Sequence, residues 1–474
     1  SNTVAGNYLG LNATGIADLG NSNNGIFIIS TPSNTIGGLN PADRNVISGN
    51  NNNGILIDGV ASTGNLIQGN YVGLNATGTN GIGNTDDGVD ISDAPGNAVG
   101  GTDPSARNVI SGNGDIGLLV IGNLATGNTV EGNLVGTDAA GTAPVPNGTG
   151  IGIQSGASSN TIGGSGASSR NVVSGNTGYG IDITGAGSDS NTVSANYVGT
   201  DMNGTADVGN GTDGVAIRNG AQSNTIGGTT VNHRNVIAGN DNDGVWITGA
   251  GTESNMVEGN WIGVAADGSA LANLYHGVAV EFGAANNLVG GITADAGNRI
   301  ENNVWDGIAF GGPGTGNAAL GNSISSNTGL GIDYGNDGIT PNGAGEPLDF
   351  PMITSATETG GTVTVDFTFN VPDGSYRLEF FDNTVADPLG NGEGETWVDS
   401  VDVTVTGGVP TPASTSFLGA VGDIITATAT EGTALPFGST SEFSASSTVT
   451  PGAPSTGPGG VTTDLGLWLR ADAG

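Results

Sequence analysis

A chain of 474 residues that carries two histidines, no cysteine and no lysine, so that all eight of its basic residues are arginines, has few groups with which to do chemistry. His276 stands immediately before Gly277, in a slot that other parts of the chain fill with Asn24, Asn53, Asp87, Thr149, Tyr179, Asp213, Asp243 and Asp306, and it reads as a turn residue. His233 shares its loop slot with Asp43, Ala106 and Ser169. The adjacent acids Asp86 and Asp87 resemble a paired-carboxylate site, but their counterparts earlier in the chain are Asn52 and Asn53. Without lysine, neither a lysine-based lyase mechanism nor an internal isopeptide cross-link can operate, and an arginine-based lyase would need an acidic groove with bound calcium. Short oxygen-rich loops suit calcium: Asp241 with Asp243 in GNDNDG, and Asp333 with Asp337 in IDYGNDG. One cluster could contact a sugar: Trp246, an outward ring, with Arg218 one unit before it and Glu281 one unit after.

Those assignments depend on a repeat. The asparagines that open the NTIGG-like phrases are Asn2, Asn34, Asn65, Asn97, Asn128, Asn160, Asn191, Asn224, Asn255, Asn287 and Asn317. Each unit also contains a glycine followed by a two-residue alternation, as in Ile55 and Ile57, Ile181 and Ile183, or Val245 and Ile247, with a freely varying residue between. Period two with one fixed face is a half-buried strand. A unit this short cannot bury its own apolar face, so it must stack on its neighbours. The expected fold is all-β: a right-handed parallel β-helix of about 11 coils, three strands to a coil, over residues 1–347. At its corners the asparagines from Asn34 to Asn255 form a ladder, spending their amides on adjacent coils. Arg44, Arg107, Arg170 and Arg234 recur every second coil, in register to pair with loop carboxylates or cap carbonyls.

Beyond the repeat, alternating runs such as TVTVDFTF (362–369) and WVDSVDVTV (397–405) predict an Ig-like antiparallel β-sandwich over 348–450. PGAPSTGPGG (451–460) reads as a linker, and 461–474 as the start of a further domain. The 44 acids give a formal net charge of -36, which disfavours nucleic acid and anionic membranes as partners. No apolar run approaches the length of a membrane span, so direct insertion is not expected.

The phrases NTIGG, RNVISGN and DGVDI, with NYVGTDMNGT-type turns, resemble the parallel β-helix repeats of large bacterial surface and secreted proteins, of the Bacteroidota adhesin type. The segment after Pro347 is similar to the β-sandwich that follows such repeats, and DLGLWLRADAG to the start of a laminin-G-like or concanavalin-like domain. The resemblance implies an extracellular or cell-surface location and a non-enzymatic spacer or adhesive stalk. Polysaccharide or cell-surface ligands would then be engaged through adjoining domains, with lateral or filament assembly of the rods. The competing expectation is a carbohydrate-active or carbohydrate-binding β-helix, recognisable by a convergent set of non-repeated acids.

Overall fold

The computed structural model describes residues 1–453 apart from residue 346, together with the backbone of 456–457 and 461–462. Residues up to Tyr334 wind into a parallel β-solenoid whose three sheets each contain eleven strands. Each coil gives one strand to each sheet, as Thr161–Gly163, Val172–Val173 and Ile181–Thr184 do in sequence order. In the third sheet one inward column is aliphatic along its length, with Ile151, Ile181, Val215, Val245 and Val278 as consecutive, fully buried partners, and the other turns aromatic at its end, where Phe310 and Tyr334 follow Val280. Eleven strands at a separation of roughly 4.8 Å make a rod about 50 Å long. The corners need glycine where the chain turns under the next coil. Gly163 has φ +89°, and a Cβ there would collide with Ser194 O.

Asparagine ladders bind the coils together, and there are three of them. At the first corner, Asn160 donates its backbone N–H and its Nδ2 to Asn191 Oδ1 at 2.9 and 3.1 Å, and the pattern runs from Asn2 to Asn317. The second ladder runs from Asn7 to Asn322 through Asn171 and Asn196. A third runs from Asn21 to Asn327 through Asn176 and Asn210. Most rungs are fully buried, and many also donate Nδ2 to a strand carbonyl of the preceding coil, as Asn171 does to Val130 O at 2.8 Å. A buried amide with donor and acceptor both engaged satisfies corner backbone that no strand can pair.

Coils alternate in where they carry excess length. Every second one carries its extra residues between its first and second strands, in four cases as a single 3-10 turn (Pro41–Asp43, Pro104–Ala106, Ala167–Ser169, Val231–His233). The others fold a loop back after the second strand, closed by antiparallel bridges such as Leu74 to Gly81 and Thr200 to Asp207. These loops cover an apolar patch outside the second sheet, containing Tyr71, Leu74, Val109, Leu134, Val172, Tyr197 and Val236.

Residues from Met352 onward form two sheets. The four-stranded sheet has the order Ser414–Leu418, Thr362–Thr368, Met352–Thr359, Thr450–Pro451; the five-stranded one runs Val409–Thr411, Thr396–Thr406, Gly374–Asn383, Ile424–Glu431, Ser447–Thr448. Their shared core is more aromatic than the solenoid's, with Phe367, Phe369, Phe380 and Phe417 beside Val363, Val365 and Leu378. The linker expected to start at residue 451 begins within this unit, since Pro451 pairs with Glu358 and Gly452 N–H donates to Glu358 O at 2.6 Å. Apart from a short pairing of Thr456–Gly457 with Val461–Thr462, the rest of 451–460 and the segment 461–474 lie outside the described residues.

The sandwich closes the end of the solenoid. Phe381 and Phe443 belong to the solenoid's own core, and Gly394 exchanges backbone hydrogen bonds with Ile324 at 2.8 and 3.0 Å. Where the asparagines run out, carboxylates and hydroxyls take their place. Glu393 accepts from Ser326 N, Asn327 N and Asn327 Nδ2; Glu379 accepts from Gly321 N at 2.7 Å; Thr440 Oγ1 accepts from Ala319 N at 2.9 Å. Glu442 accepts from Tyr334 N and Thr340 N.

Candidate functional site on the outer face of the third sheet

Departures from small outward residues gather on the outer face of the third sheet, from the coil of Tyr179 to the coil of Asp333. Two outward columns supply most of them. One lies just before the glycine of each unit, and there the side chains of Asp213, Asp243, His276 and Asp306 each accept the backbone N–H of their counterpart in the next coil. Asp213 Oδ1 accepts from Asp243 N at 3.0 Å, Asp243 Oδ1 from His276 N at 2.9 Å, and Asp306 Oδ1 from Leu330 N at 2.7 Å. A rung of this kind needs only an acceptor, so Asn, Asp and the imidazole of His276 can all supply it.

His276 is completely buried. Its Nδ1 lies 3.3 Å from Asp306 N and 3.1 Å from Asp306 Oδ2, while Nε2 has no hydrogen-bond partner among the described residues. Tyr275 and Trp305 flank the ring, with centroids 4.3 and 5.8 Å away. Burial pushes the Asp243 carboxyl up to about 8, helped by the charge of Asp213, and burial lifts Asp213 itself to about 6. Near neutral pH this column therefore holds protonated as well as ionised acids.

The second outward column carries Asp182, Ala216, Trp246, Ala279, Ala309 and Asp333 in consecutive coils. Trp246 Nε1 donates to Glu281 Oε2 at 3.3 Å, and Asn336 Nδ2 donates to Glu281 Oε1 at 2.7 Å. Arg218 turns the other way. It grips the buried Asp182 with two bonds of 2.8 and 2.9 Å and lies over Tyr179 at 5.1 Å. Trp246, Arg218 and Glu281 thus share one face, but only Trp246 and Glu281 touch, because Asp182 offers Arg218 a better-aligned carboxylate.

The metal candidates are divided between different environments. Asp243 is buried in the acceptor column while Asp241 is exposed. Asp333 is buried, lifted to about 6 by burial and then by Asp306, and accepts from Gly338 N; Asp337 is exposed and accepts from Thr340 Oγ1 at 3.4 Å. Among the described residues the acids whose oxygens converge closely enough to hold a metal ion are Asp86, Asp87 and Asp115, all within 4.8 Å of one another. Burial, with added repulsion from Asp86, Asp90 and Asp115, pushes Asp87 up to about 7. Aligned on the repeat, Asp86 and Asp87 look like ordinary turn acids. Asp115 completes the set from the next coil, in the same slot as Asp86, two residues before the glycine, so aligning the units on that glycine was the signal that could have found it. His233 closes a 3-10 turn with Thr230 Oγ1 3.0 Å from its Nδ1, away from this face.

No helix among the described residues is long and apolar enough to cross a membrane. No family model matches the chain. No curated protein matches it either. Among solved structures it is similar to the A-module of the Azotobacter vinelandii mannuronan C-5 epimerase AlgE6, with 16% identity and a TM-score of 0.32 over 65% of this chain and 76% of that one.

Proposed function

We propose that this chain is a non-enzymatic, rigid spacer of an extracellular or cell-surface bacterial protein of the adhesin type. The observation that carries this reading is the continuity of the three asparagine ladders through the coils, sealed at one end by carboxylates of the sandwich. A rod whose corner amides are saturated resists bending and local opening. The groups able to do chemistry support the same reading, since they are committed to one another: Arg218 to Asp182, Trp246 to Glu281, His276 to Asp306.

A second reading, contact with carbohydrate, is favoured by the crowding of Tyr179, Trp246, Tyr275 and Trp305 beside acids on one face. Trp305 is 47% exposed, so its ring is open to a sugar. Incubation of the purified chain with pectate, alginate and glycosaminoglycans in the presence of calcium separates the spacer from a carbohydrate-active enzyme. The spacer generates neither unsaturated nor reducing ends. Turnover that disappears in Asp243→Asn or His276→Gln would establish an enzyme instead.

A further inference from the structure

The arginines outside the second sheet are placed unlike the other charges of the molecule. Arg44, Arg107, Arg170 and Arg234 follow one another at every second coil; Arg299 stands two positions out of that register, as the strand partner of Trp261. In a chain with 44 acids, none of the first four forms an ion pair among the described residues; the arginine ion pairs there belong to Arg218, Arg299 and Arg377. Four nearby acids are taken up by their own turns, Asp43 by Asn40, Asp103 by Ser105, Asp138 by Thr142 and Asp201 by Thr205, while Asp295 acts on Arg234 through its charge without forming an ion pair.

What holds the guanidinium groups is neutral. Arg44, Arg107 and Arg170 each donate Nε to a carbonyl of the next coil, Gly69, Gly132 and Ala195, at 3.2 Å. Arg44 stacks on Tyr71 at 4.0 Å, Arg170 on Tyr197 at 3.9 Å and Arg234 on Trp261 at 4.6 Å. The Nε of Arg234 is buried without a partner, and burial lowers the pKa of Arg107 and Arg234. Two grooves follow the line, one lined by Arg44, Tyr71 and Arg107, the other by Arg170, Tyr197, Arg234 and Trp261. In Arg44 and Arg170 the Nη edges that Nε and the ring leave free are fixed in orientation yet have no carboxylate to meet.

We propose that the outer face of the second sheet is a binding track for an extended anionic glycan, carboxylated or sulfated, with the guanidinium forks taking one acidic group at every second coil. A planar fork pre-oriented by stacking is suited to bidentate capture of a carboxylate or sulfate. Successive forks lie roughly 10 Å apart, twice the strand separation. That spacing suits a polymer charged at intervals of a sugar or two. It does not suit nucleic acid, which carries a charge about every 1.7 Å of duplex axis. The net charge of the whole chain hides this track, because at physiological salt charges beyond about 8 Å are largely screened.

Calorimetric titration of the intact chain with oligogalacturonate and with heparin-derived oligosaccharides, at low and at physiological salt, tests the track and distinguishes carboxylate from sulfate. At least one of the two binds, more weakly as salt rises and more tightly as the oligomer lengthens past a single groove. Arg170→Gln and Arg234→Gln each weaken binding about tenfold, the loss expected for one hydrogen bond to a charged group. Arg170→Lys recovers part of that loss. Melting curves establish that the variants are folded, and Arg44→Gln repeats the test in the other groove if they are not. Failure of both probes to bind at low salt, or binding unchanged in the folded variants, overturns the proposal. So does sedimentation showing that the arginines serve only self-association, which would make the occupant a second copy of the chain.

Discussion

The solenoid and the sandwich meet the same requirement, pairing buried backbone groups that no strand can reach, by opposite means. Inside the solenoid the answer is a neutral amide, repeated coil after coil, which donates to one neighbour and accepts from the other. Where the coils stop, the sandwich supplies groups that only need to accept, and there Glu393, Glu379 and Glu442 do what asparagine does elsewhere. An amide can be propagated because each copy presents the next with the same pair of groups. An ionised carboxylate cannot pass on a side-chain donor, so in place of a ladder amide it ends the run. The largest change in the molecule should therefore come from breaking a rung within the run. Asn171→Ala removes the acceptor of Asn133 N and the side-chain donor to Val130 O inside a closed core, while Asn133 Nδ2 keeps Val99 O and Glu131 O. We expect a loss on the order of 3 kcal/mol, read from chemical unfolding. An unchanged midpoint would mean that the ladder contributes no stability.

At the terminator the expected cost is smaller, because water can reach part of what is exposed. Glu393→Ala frees Ser326 N and Asn327 N and should cost about 2 kcal/mol. Glu393→Gln keeps one acceptor oxygen and should recover about half of that. If alanine and glutamine were equally harmful, the carboxylate would be acting through its charge and not as a cap. Burial raises the Glu393 carboxyl to about 6, against the pull of Asn327 and Ser326.

The acceptor column outside the third sheet turns the comparison into a pH dependence. Asp243 has a folded value of about 8 against an ordinary 3.8, so between those values the folded chain keeps a proton that the unfolded chain has released. Its contribution is complete below about pH 4 and is lost as pH rises through 8. Asp243→Asn retains the oxygen that accepts from His276 N and needs no proton. It should stabilise the protein at pH 8 by on the order of 2 kcal/mol and flatten the decline in melting temperature between pH 5 and 8. An identical decline in both proteins would show that Asp243 is ionised throughout.

The ladder that is legible in the sequence is the one with even spacing. Asn160, Asn191, Asn224 and Asn255 recur at intervals of 31 to 33 residues. The second ladder alternates between steps of 25 and 38, as from Asn108 to Asn133 to Asn171, and the third between about 29 and 34. Alternate loop placement makes those steps unequal although the corners are stacked in space. The phrases RNV and SGN mark both once the two-coil period is applied. The solenoid core was readable for the same reason, since Ile and Val recur in a fixed phase. How the sandwich seats on the last coil was not readable: Phe443 lies far along the chain from Gly331, the last of the repeat's glycines, which it packs against, and Phe443 belongs to no repeat. The arginines were legible as a register and as partners of carbonyls. That carboxylates avoid them depends on how each nearby turn uses its own acid, which only the folded loops reveal.

The smallest effect should come from the one ion pair on the third-sheet face with good bidentate geometry. Arg218 is 30% exposed at its side chain while Asp182 is 3% exposed, so the pair joins a half-solvated cation to an anion that water hardly reaches. Removing the cation alone strands Asp182, whereas removing both leaves two neutral side chains on a face where Ala216 and Gly152 are already tolerated. Arg218→Gln should cost about 1 kcal/mol, and Arg218→Gln with Asp182→Asn less than either change alone. The double variant distinguishes an ion pair that merely satisfies itself from one that stiffens the rod. If it melts with the unaltered chain, the pair is dispensable to stability, and the face it occupies is free to vary while the amide interior is not. A double variant as unstable as Asn171→Ala would reverse that ranking and place the stiffness of the rod on its surface.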